Sequence, residues 1–218
     1  MSLFITFEGP DGSGKSTQIR LLEEHLRGLG HAVLITREPG GTSIGDQIRA
    51  VLHDIKNVEM TREAEFLLYS ASRAQLVRQV IQPHLSRGGT VLCDRFADSS
   101  MAYQGYGREL ELEAIRLITR FATADLKPDL TVYLDLPVEV GLQRKQSAHA
   151  AQGGEWNRLD QQTMDFHRRV RQGYHRMAQA EPERWLVVDA TQSVADTHAT
   201  IRARLELLLS ELGKVVVT

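Results

Sequence analysis

The stretch LFITFEGPDGSGKST, residues 3–17, joins an apolar run to three closely spaced glycines and a lysine followed by two hydroxyl side chains. Residues 9–16 match the pattern G-x-x-x-x-G-K-[ST], which binds phosphate when a strand precedes it and a helix follows it. LFITFE is the expected strand, and Ile19, Leu22 and Leu26 recur behind the glycines at helical spacing. The sequence therefore predicts a P-loop, the name used below for residues 9–16.

The residue types in the P-loop suit a nucleoside triphosphate. Glycines let successive backbone N–H groups point into one concavity, and the N-terminus of the following helix adds positive potential. Lys15 is expected to reach the β- and γ-phosphates, and the Ser16 hydroxyl to ligate Mg²⁺. The expected nucleotide-binding residues are Gly9, Pro10, Asp11, Gly12, Ser13, Gly14, Lys15, Ser16 and Thr17.

Five short runs, apolar nearly throughout, predict the strands of a parallel sheet covered on both faces: 3–8, 32–38, 90–96, 130–137 and 185–190. Helical periodicity follows the P-loop and recurs over 62–85, where Pro83 is expected to end the helix, and over 111–122 and 194–212. Residues 103–109 are expected to interrupt the regular helix and strand pattern, and residues 146–157 are expected to form a mobile loop. Strands that alternate with helices predict an α/β fold, built as one domain over residues 1–218.

The composition limits the classes of binding partner that the sequence leads us to expect. A formal charge of −2 provides no electrostatic reason to expect a nucleic-acid or membrane surface. No apolar run approaches the roughly 18 residues that a membrane span needs. The single cysteine, Cys93, excludes an intramolecular disulfide and is expected to be a buried thiol. We expect a cytoplasmic protein.

Several arginines stand where an anionic acceptor could bind. Arg95 follows Asp94 at the end of a predicted strand, the position where α/β sheets place ligands, and Arg37 ends another. Tyr69 and Arg73 share one helical face, so a ring and a guanidinium can frame a flat base. Tyr69 can also be read as a core aromatic, and Ser99 and Ser100 as caps of the helix that follows.

Five segments together resemble the bacterial type of thymidylate kinase: EGPDGSGKST, TREPGGT, LLYSASRAQL, DRFADSSMAYQG and YLDLPVEVGLQR. They occur in that family's order and near its spacing, from about residue 3 to residue 190. The resemblance implies a P-loop nucleotide-kinase fold with a five-stranded parallel sheet of order 2-3-1-4-5 and a mobile lid. It also implies transfer of the γ-phosphate of ATP to dTMP, a requirement for Mg²⁺, and a homodimer.

The same resemblance implies roles in binding dTMP. Asp11 would receive the sugar 3′-OH, Tyr69 would stack on thymine and Arg73 would bond to its carbonyl. Arg95 would hold the acceptor phosphate with help from Arg37. Ser100 and Gln104 would line the base pocket, and the Tyr103 ring would crowd the 2′ position of the sugar. Glu38 is also expected at the dTMP site.

Two points stay open at this stage. Asp94 and Asp135 both end apolar runs, and Asp94 is preferred as the metal-side carboxylate with Ser16 because Arg95 adjoins it. The resemblance implies a catalytic arginine in either the P-loop or the lid, and this P-loop has none. The lid, about residues 144–158, lacks the arginine that usually precedes its glycine, so we assign the role to Arg158 with Arg144 in support and Lys145 as the remaining candidate. Lys15 and Arg95 complete the predicted catalytic set.

Two rival functions also fit the P-loop. A kinase that acts on deoxyribonucleosides would need a carboxylate base, and Glu38 could serve. A regulatory module would hydrolyse ATP slowly and ignore monophosphates. Neither rival explains DRFADSSMAYQG.

Overall fold

The computed structural model describes residues 2–152 and 157–215. Its five strands are β1 Leu3–Glu8, β2 Val33–Arg37, β3 Thr90–Asp94, β4 Leu130–Asp135 and β5 Trp185–Asp189. They form one parallel sheet in the order β2-β3-β1-β4-β5. The predicted sheet and its strand order are confirmed.

Helices cover both faces of the sheet. They are α1 Lys15–Gly28, α2 Ser43–His53, α3 Arg62–Leu76, α4 Gln82–Ser86, α5 Ala97–Ser100, α6 Leu112–Thr123, α7 Val138–Gln152, α8 Met164–Ala180 and α9 Val194–Val215. Leu3, Ile5 and Phe7 pack against α1 and α9 on one face. Phe4 points to the other face and packs with Leu76 of α3. Burial on both sides explains why β1 reads as a continuous apolar run.

Register places the functional turns together. Phe7 of β1 lies opposite Asp94 of β3, and Glu8 lies opposite Tyr133 of β4. The P-loop therefore leaves the sheet beside the end of β3. The strand order also reverses here, because β2 and β3 lie on one side of β1 in the sheet and β4 and β5 lie on the other. Such a switch point opens a crevice at the carboxyl edge.

Three local predictions are wrong. The helical run expected over 62–85 is present as α3, a π-helical turn (Val77–Ile81) and α4, and it ends at Ser86. Pro83 itself does not stop this run, because it falls in the first turn of α4, directly after the π-helical turn. Residues 103–107 are not broken, since they belong to a second π-helical segment, Met101–Gly107, whereas Arg108 and Glu109 lie outside any helix. The glycines of this segment serve close packing instead: a Cβ on Gly107 would lie 2.7 Å from the Phe166 ring.

The third error concerns the lid. Residues 146–152 continue α7 and do not form a loop, in keeping with the good helical propensity of Ala and Gln. The rest of the predicted loop, apart from Asn157, lies outside the described residues. The sequence patterns above also do not predict helices α2, α5, α7 and α8. Within the described part of the chain, no helix is long and apolar enough to cross a bilayer.

The two faces of α9 provide a test of the core. Leu205 is 0% exposed, whereas Leu207, on the same helix, is 60% exposed. We expect Leu205→Ala to lower the free energy of unfolding by about 2–5 kcal/mol, because it removes buried methyl groups and leaves a cavity. Leu207→Ala should change it by less than about 0.5 kcal/mol. Urea unfolding followed by circular dichroism measures both, and equal losses would contradict the packing described here.

Candidate active site

Glycine conformation shapes the P-loop. Gly9, Gly12 and Gly14 have φ of 136°, 79° and 93°, values that side chains with a Cβ rarely adopt. A Cβ on Gly9 would lie 2.6 Å from the Leu134 carbonyl oxygen. Lys15 is buried at the start of α1, and its Nζ donates to the carbonyls of Gly9 (3.2 Å) and Pro10 (3.1 Å). The pKa of Lys15 is lowered mainly by burial and, to a smaller extent, by the positive charge of the nearby Arg95.

Asp11 is the point where several cations meet. Arg95 Nη2 donates to its Oδ1 over 2.8 Å, and Lys15 Nζ lies 3.6 Å from the same oxygen. Lys145 of α7 donates to Oδ2. Burial alone would raise the pKa of Asp11, but Arg95, Lys15 and Lys145 together hold it well below its usual range. A lysine from the P-loop, an arginine that directly follows β3 and a lysine from the lid helix thus converge on one carboxylate.

A single cleft brings most of the predicted residues together. It is lined by Pro10, Asp11, Lys15, Arg37, Glu38, Tyr69, Asp94, Arg95, Ser100, Tyr103 and Gln104, among others. Arg73 lies behind this lining, and Arg37 is exposed at its rim, 3.6 Å from Asp46. The cleft opens at the carboxyl edge of the sheet, as expected for an α/β fold.

Arg73 organises the floor of the cleft. It is only 1% exposed, and its Nε donates to Glu38 Oε2 over 2.8 Å. Its Nη1 donates to the Ser100 hydroxyl (3.0 Å) and its Nη2 to the Phe96 carbonyl (3.1 Å). Burial raises the pKa of Glu38, and Arg73 offsets part of that rise. Ser100 is thus engaged with Arg73 and does not cap a helix.

Two tyrosines face the cleft. Tyr69 is half-buried, and burial raises its pKa above the ordinary value, so it is a neutral ring. The Arg95 guanidinium lies 5.2 Å from the centre of the Tyr103 ring, a cation–π contact. Burial raises the pKa of Tyr103 to about 12. The reading of Tyr69 as a pure core residue is not supported, because it lines the cleft.

Comparison with known proteins decides the family. The model of the family described as "Thymidylate kinase" matches residues 7–201. The chain belongs to the thymidylate kinase family. Members of this family phosphorylate dTMP to dTDP with ATP, so the predicted enzyme class, a phosphotransferase, is confirmed.

Individual relatives agree over nearly the whole length. Thymidylate kinase of Roseiflexus sp. (strain RS-1) is 50% identical over 222 residues, covering 99% of this chain and 98% of the relative. That of Deinococcus radiodurans is 56% identical over 201 residues, covering 92% and 95%. The crystal structure of thymidylate kinase from Ehrlichia chaffeensis is 32% identical, with a TM-score of 0.74 and coverage of 94% and 98%. The predicted fold class is confirmed.

The two candidate metal carboxylates differ sharply in their surroundings. Asp135 is already occupied by Arg171 (2.7 and 2.8 Å), by His175 (3.1 Å) and by the Tyr133 hydroxyl (3.1 Å). Asp94 lines the cleft, and its buried Oδ1 has no hydrogen-bond partner among the described residues. The Ser16 hydroxyl lies at the exposed start of α1. A hard cation that prefers oxygen ligands therefore fits the unpartnered Asp94 carboxylate and not Asp135.

The lid cations occupy different places. Arg144 Nη1 donates to the carbonyls of Gly12 (3.4 Å) and Ala190 (3.2 Å), so it rests on the P-loop. Lys145 bridges Asp11 and Asp160, the latter at 2.6 Å. Arg158 is buried and donates to Glu65 of α3, on the side of the cleft where Gln104 lies. Of the lid candidates, the structure therefore brings Arg144 and Lys145, but not Arg158, to the P-loop.

Sequence reasoning missed two buried carboxylates. Glu65 accepts hydrogen bonds from Gln104 (2.9 Å), from Arg108 (3.0 Å) and from Arg158, and these partners lower its pKa although burial opposes them. Glu8 ends β1 and is also fully buried. In the sequence Glu65 reads as an ordinary acidic residue in the first turn of a helix. A charge at the end of the apolar run of β1 was the only available signal for Glu8.

Proposed function

We propose that this chain transfers the γ-phosphate of ATP to dTMP, and that the two nucleotides meet beside Asp11. The contact that carries the proposal is the sharing of one carboxylate by Lys15 and Arg95. Lys15 belongs to the P-loop, which suits the donor, and Arg95 directly follows β3, which suits the acceptor phosphate. Residues 9–17 would therefore hold ATP, and Arg95 would bring the dTMP phosphate into line.

The acceptor side supplies both a base pocket and a sugar contact. Tyr69 would stack on thymine, while Gln104 and the Arg73–Ser100 pair would present hydrogen-bonding groups to its edge. Arg73 can do this with little loss of entropy, because three partners already hold its guanidinium. At the sugar, Asp11 would receive the 3′-OH and Tyr103 would crowd the 2′ position.

Charge neutralisation would dominate the reaction. The dTMP phosphate is already an anion near neutral pH, so the acceptor oxygen needs no strong base. Lys15 and Arg95 would hold the two phosphates against their mutual repulsion and in line. Asp94 and Ser16 would hold Mg²⁺, which neutralises charge on the β- and γ-phosphate oxygens when bound.

Glu38 supports a phosphate acceptor over a nucleoside. A kinase that acts on an uncharged hydroxyl needs a carboxylate free to take its proton. Glu38 is buried, and its Oε2 lies 2.7 Å from Arg73 Nη2, so the carboxylate is already ion-paired, although its Oε1 has no hydrogen-bond partner among the described residues. Glu38 would then contribute to dTMP binding through Arg73.

An ADP-release assay with ATP and Mg²⁺ tests this function against a panel of monophosphates. We expect dTMP to give the highest kcat/KM, thymidine to give no signal above background, and EDTA to abolish turnover. Lys15→Ala should lower kcat at least about 10²-fold, as loss of a preorganised charge does. An ATPase rate that ignores every monophosphate would overturn the proposal in favour of a regulatory module.

We propose that residues 1–218 form one domain with a lid at about residues 144–158. The contacts of the lid cations predict which of them contribute most to turnover. We expect Lys145→Ala and Arg144→Ala to lower kcat by about 10-fold or more, since both side chains lie at the P-loop. Arg158→Ala should mainly raise the KM for dTMP, because Arg158 contacts Glu65.

Steady-state kinetics with both substrates varied measures this split. Lys127→Ala is the control, because the Lys127 side chain is 76% exposed and its ion pair with Glu181 is long, at 4.0 Å. A kcat loss confined to Arg158→Ala would restore the assignment of the catalytic lid charge to Arg158.

We also propose a homodimer formed through α2, α3 and α6. These helices pack side by side, and they expose Ile44, Val51, Leu67, Leu117 and Phe121. Large apolar residues gathered on neighbouring helices are typical of a protein–protein interface. A second copy of this chain, as the family resemblance implies, would cover them.

Sedimentation velocity at micromolar concentration tests the dimer. Phe121 is 84% exposed, so Phe121→Glu should yield monomers without disturbing the core, because it places a charge in the interface. Leu207→Glu on α9 should leave the dimer intact. A wild-type protein that sediments as a monomer would refute the proposal.

A further inference from the structure

A buried carboxylate lies behind the turn that carries Arg95. Glu8 is 0% exposed and is not part of the cleft lining. The Phe96 N–H donates to its Oε1 over 2.9 Å. The hydroxyls of Ser99 and Tyr174 donate to its Oε2 over 2.6 and 2.7 Å. Both oxygens of Glu8 therefore act on residues that flank or follow Arg95.

The backbone at Arg95 needs such support. Its φ is 68°, a left-handed value that costs free energy for a residue with a Cβ and persists only where neighbours hold it. The Arg95 N–H donates to the Phe7 carbonyl (2.9 Å), and the next N–H, of Phe96, donates to Glu8. The last two residues of β1 thus hold two successive N–H groups of the turn between β3 and α5.

Glu8 also supports the guanidinium of Arg95 indirectly. Tyr174, which donates to Glu8, packs edge to face against Tyr103 with 6.4 Å between ring centres. Tyr103 in turn lies under Arg95, 5.2 Å from its guanidinium carbon. One carboxylate therefore reaches both the backbone of Arg95 and the aromatic ring on which its side chain rests.

We propose that Glu8 is a positioning residue for the acceptor: its carboxylate holds the turn between β3 and α5 so that Arg95 presents its guanidinium to the dTMP phosphate. This inference rests on the proposed function. It assigns Glu8 to dTMP binding and not to ATP binding, although β1 leads directly into the P-loop. A role in positioning Arg95 predicts weaker binding of dTMP with unchanged binding of ATP, whereas general support of the fold would affect both substrates.

The charge of Glu8 matters as well as its shape. Burial raises its pKa from 4.5 to about 7, while Arg95 and the hydrogen bonds from Ser99 and Tyr174 oppose that rise and Asp98 adds to it. The titratable groups that face Glu8 are Lys15, Cys93, Arg95, Asp98, Tyr103 and Tyr174. Because two hydroxyls already donate to Oε2, a proton placed there must displace at least one of them.

The raised pKa also sets the sign of the stability effect. A carboxyl whose pKa is higher in the folded state stabilises the fold below its unfolded pKa, and that contribution is lost as the pH rises through about 7. At pH 8 the buried charge of Glu8 therefore costs stability. A neutral side chain of the same shape should remove this cost, so Glu8→Gln should unfold at a temperature no lower than the wild type.

Glu8→Gln is the decisive variant, with Asp129→Asn as its control. The Asp129 carboxylate accepts from the Phe4 N–H over 2.7 Å near the opposite end of β1, far from Arg95. At pH 8 we expect Glu8→Gln to raise the KM for dTMP about 10-fold and to change the KM for ATP less than about twofold. Asp129→Asn should change neither KM. Calorimetric titration of dTMP into each protein without ATP should show the same 10-fold difference.

A pH series adds a second readout. In the wild type the KM for dTMP should rise as the pH falls from 8 to 6. The dTMP phosphate also titrates, near pH 6, but it does so equally in both proteins. The component with a midpoint near pH 7 should be missing in Glu8→Gln.

The outcomes are separable. A wild type that does not phosphorylate dTMP refutes the proposed function before any variant is compared. An active wild type with an unchanged KM for dTMP in Glu8→Gln, or with equal rises for both substrates, overturns the role of Glu8 alone. If Glu8→Gln loses its native circular dichroism, Ser99→Ala is the alternative variant. It removes the 2.6 Å bond to Glu8, together with the 3.1 Å contact between the Ser99 and Tyr174 hydroxyls, and should raise the KM for dTMP about threefold; no rise would likewise overturn the role of Glu8.

Discussion

The ion pair between Arg95 and Asp11 is the constraint around which this molecule is arranged. It joins the end of β3 to the P-loop across 2.8 Å, and it exists because β1 and β3 are neighbours in register. A donor site and an acceptor site on separate turns are thereby held at one distance. In a phosphoryl transfer, where positioning and charge do most of the chemistry, that fixed distance is the principal contribution of the fold.

The site around this pair depends on buried charge. Arg73 with Glu38, Glu65 with its arginines, and Glu8 with its hydroxyl donors are all withdrawn from water. Buried ion pairs are poor sources of stability, since desolvation offsets much of the attraction. Here each of them holds a guanidinium or a turn in one orientation beside the cleft. The arrangement therefore favours preorganised binding groups over stability.

Much of the fold follows from local patterns. Apolar runs identified all five strands, although Ile35 of β2 and Val187 of β5 are exposed at the edges of the sheet. Glycines allow the positive φ angles that the P-loop adopts. The errors arose where packing overrode local signals. Gly105 and Gly107 suggested a break but allow a π-helical segment to approach α6 and α8, and the small residues at 146–152 extend α7. Pro83 is tolerated because a π-helical turn precedes it.

The sequence by itself determined the phosphate-binding loop, the strand-end arginine and the tyrosine–arginine pair, because each rests on neighbours within a few residues. Only the tertiary structure decided which carboxylates serve them. Glu8 meets Phe96 across 88 residues, and Glu65 meets Arg158 across 93. Such partners are set by strand register and helix packing. Which oxygen faces which donor therefore becomes readable only when the sheet is assembled, since a buried charge and a solvated one look the same in sequence.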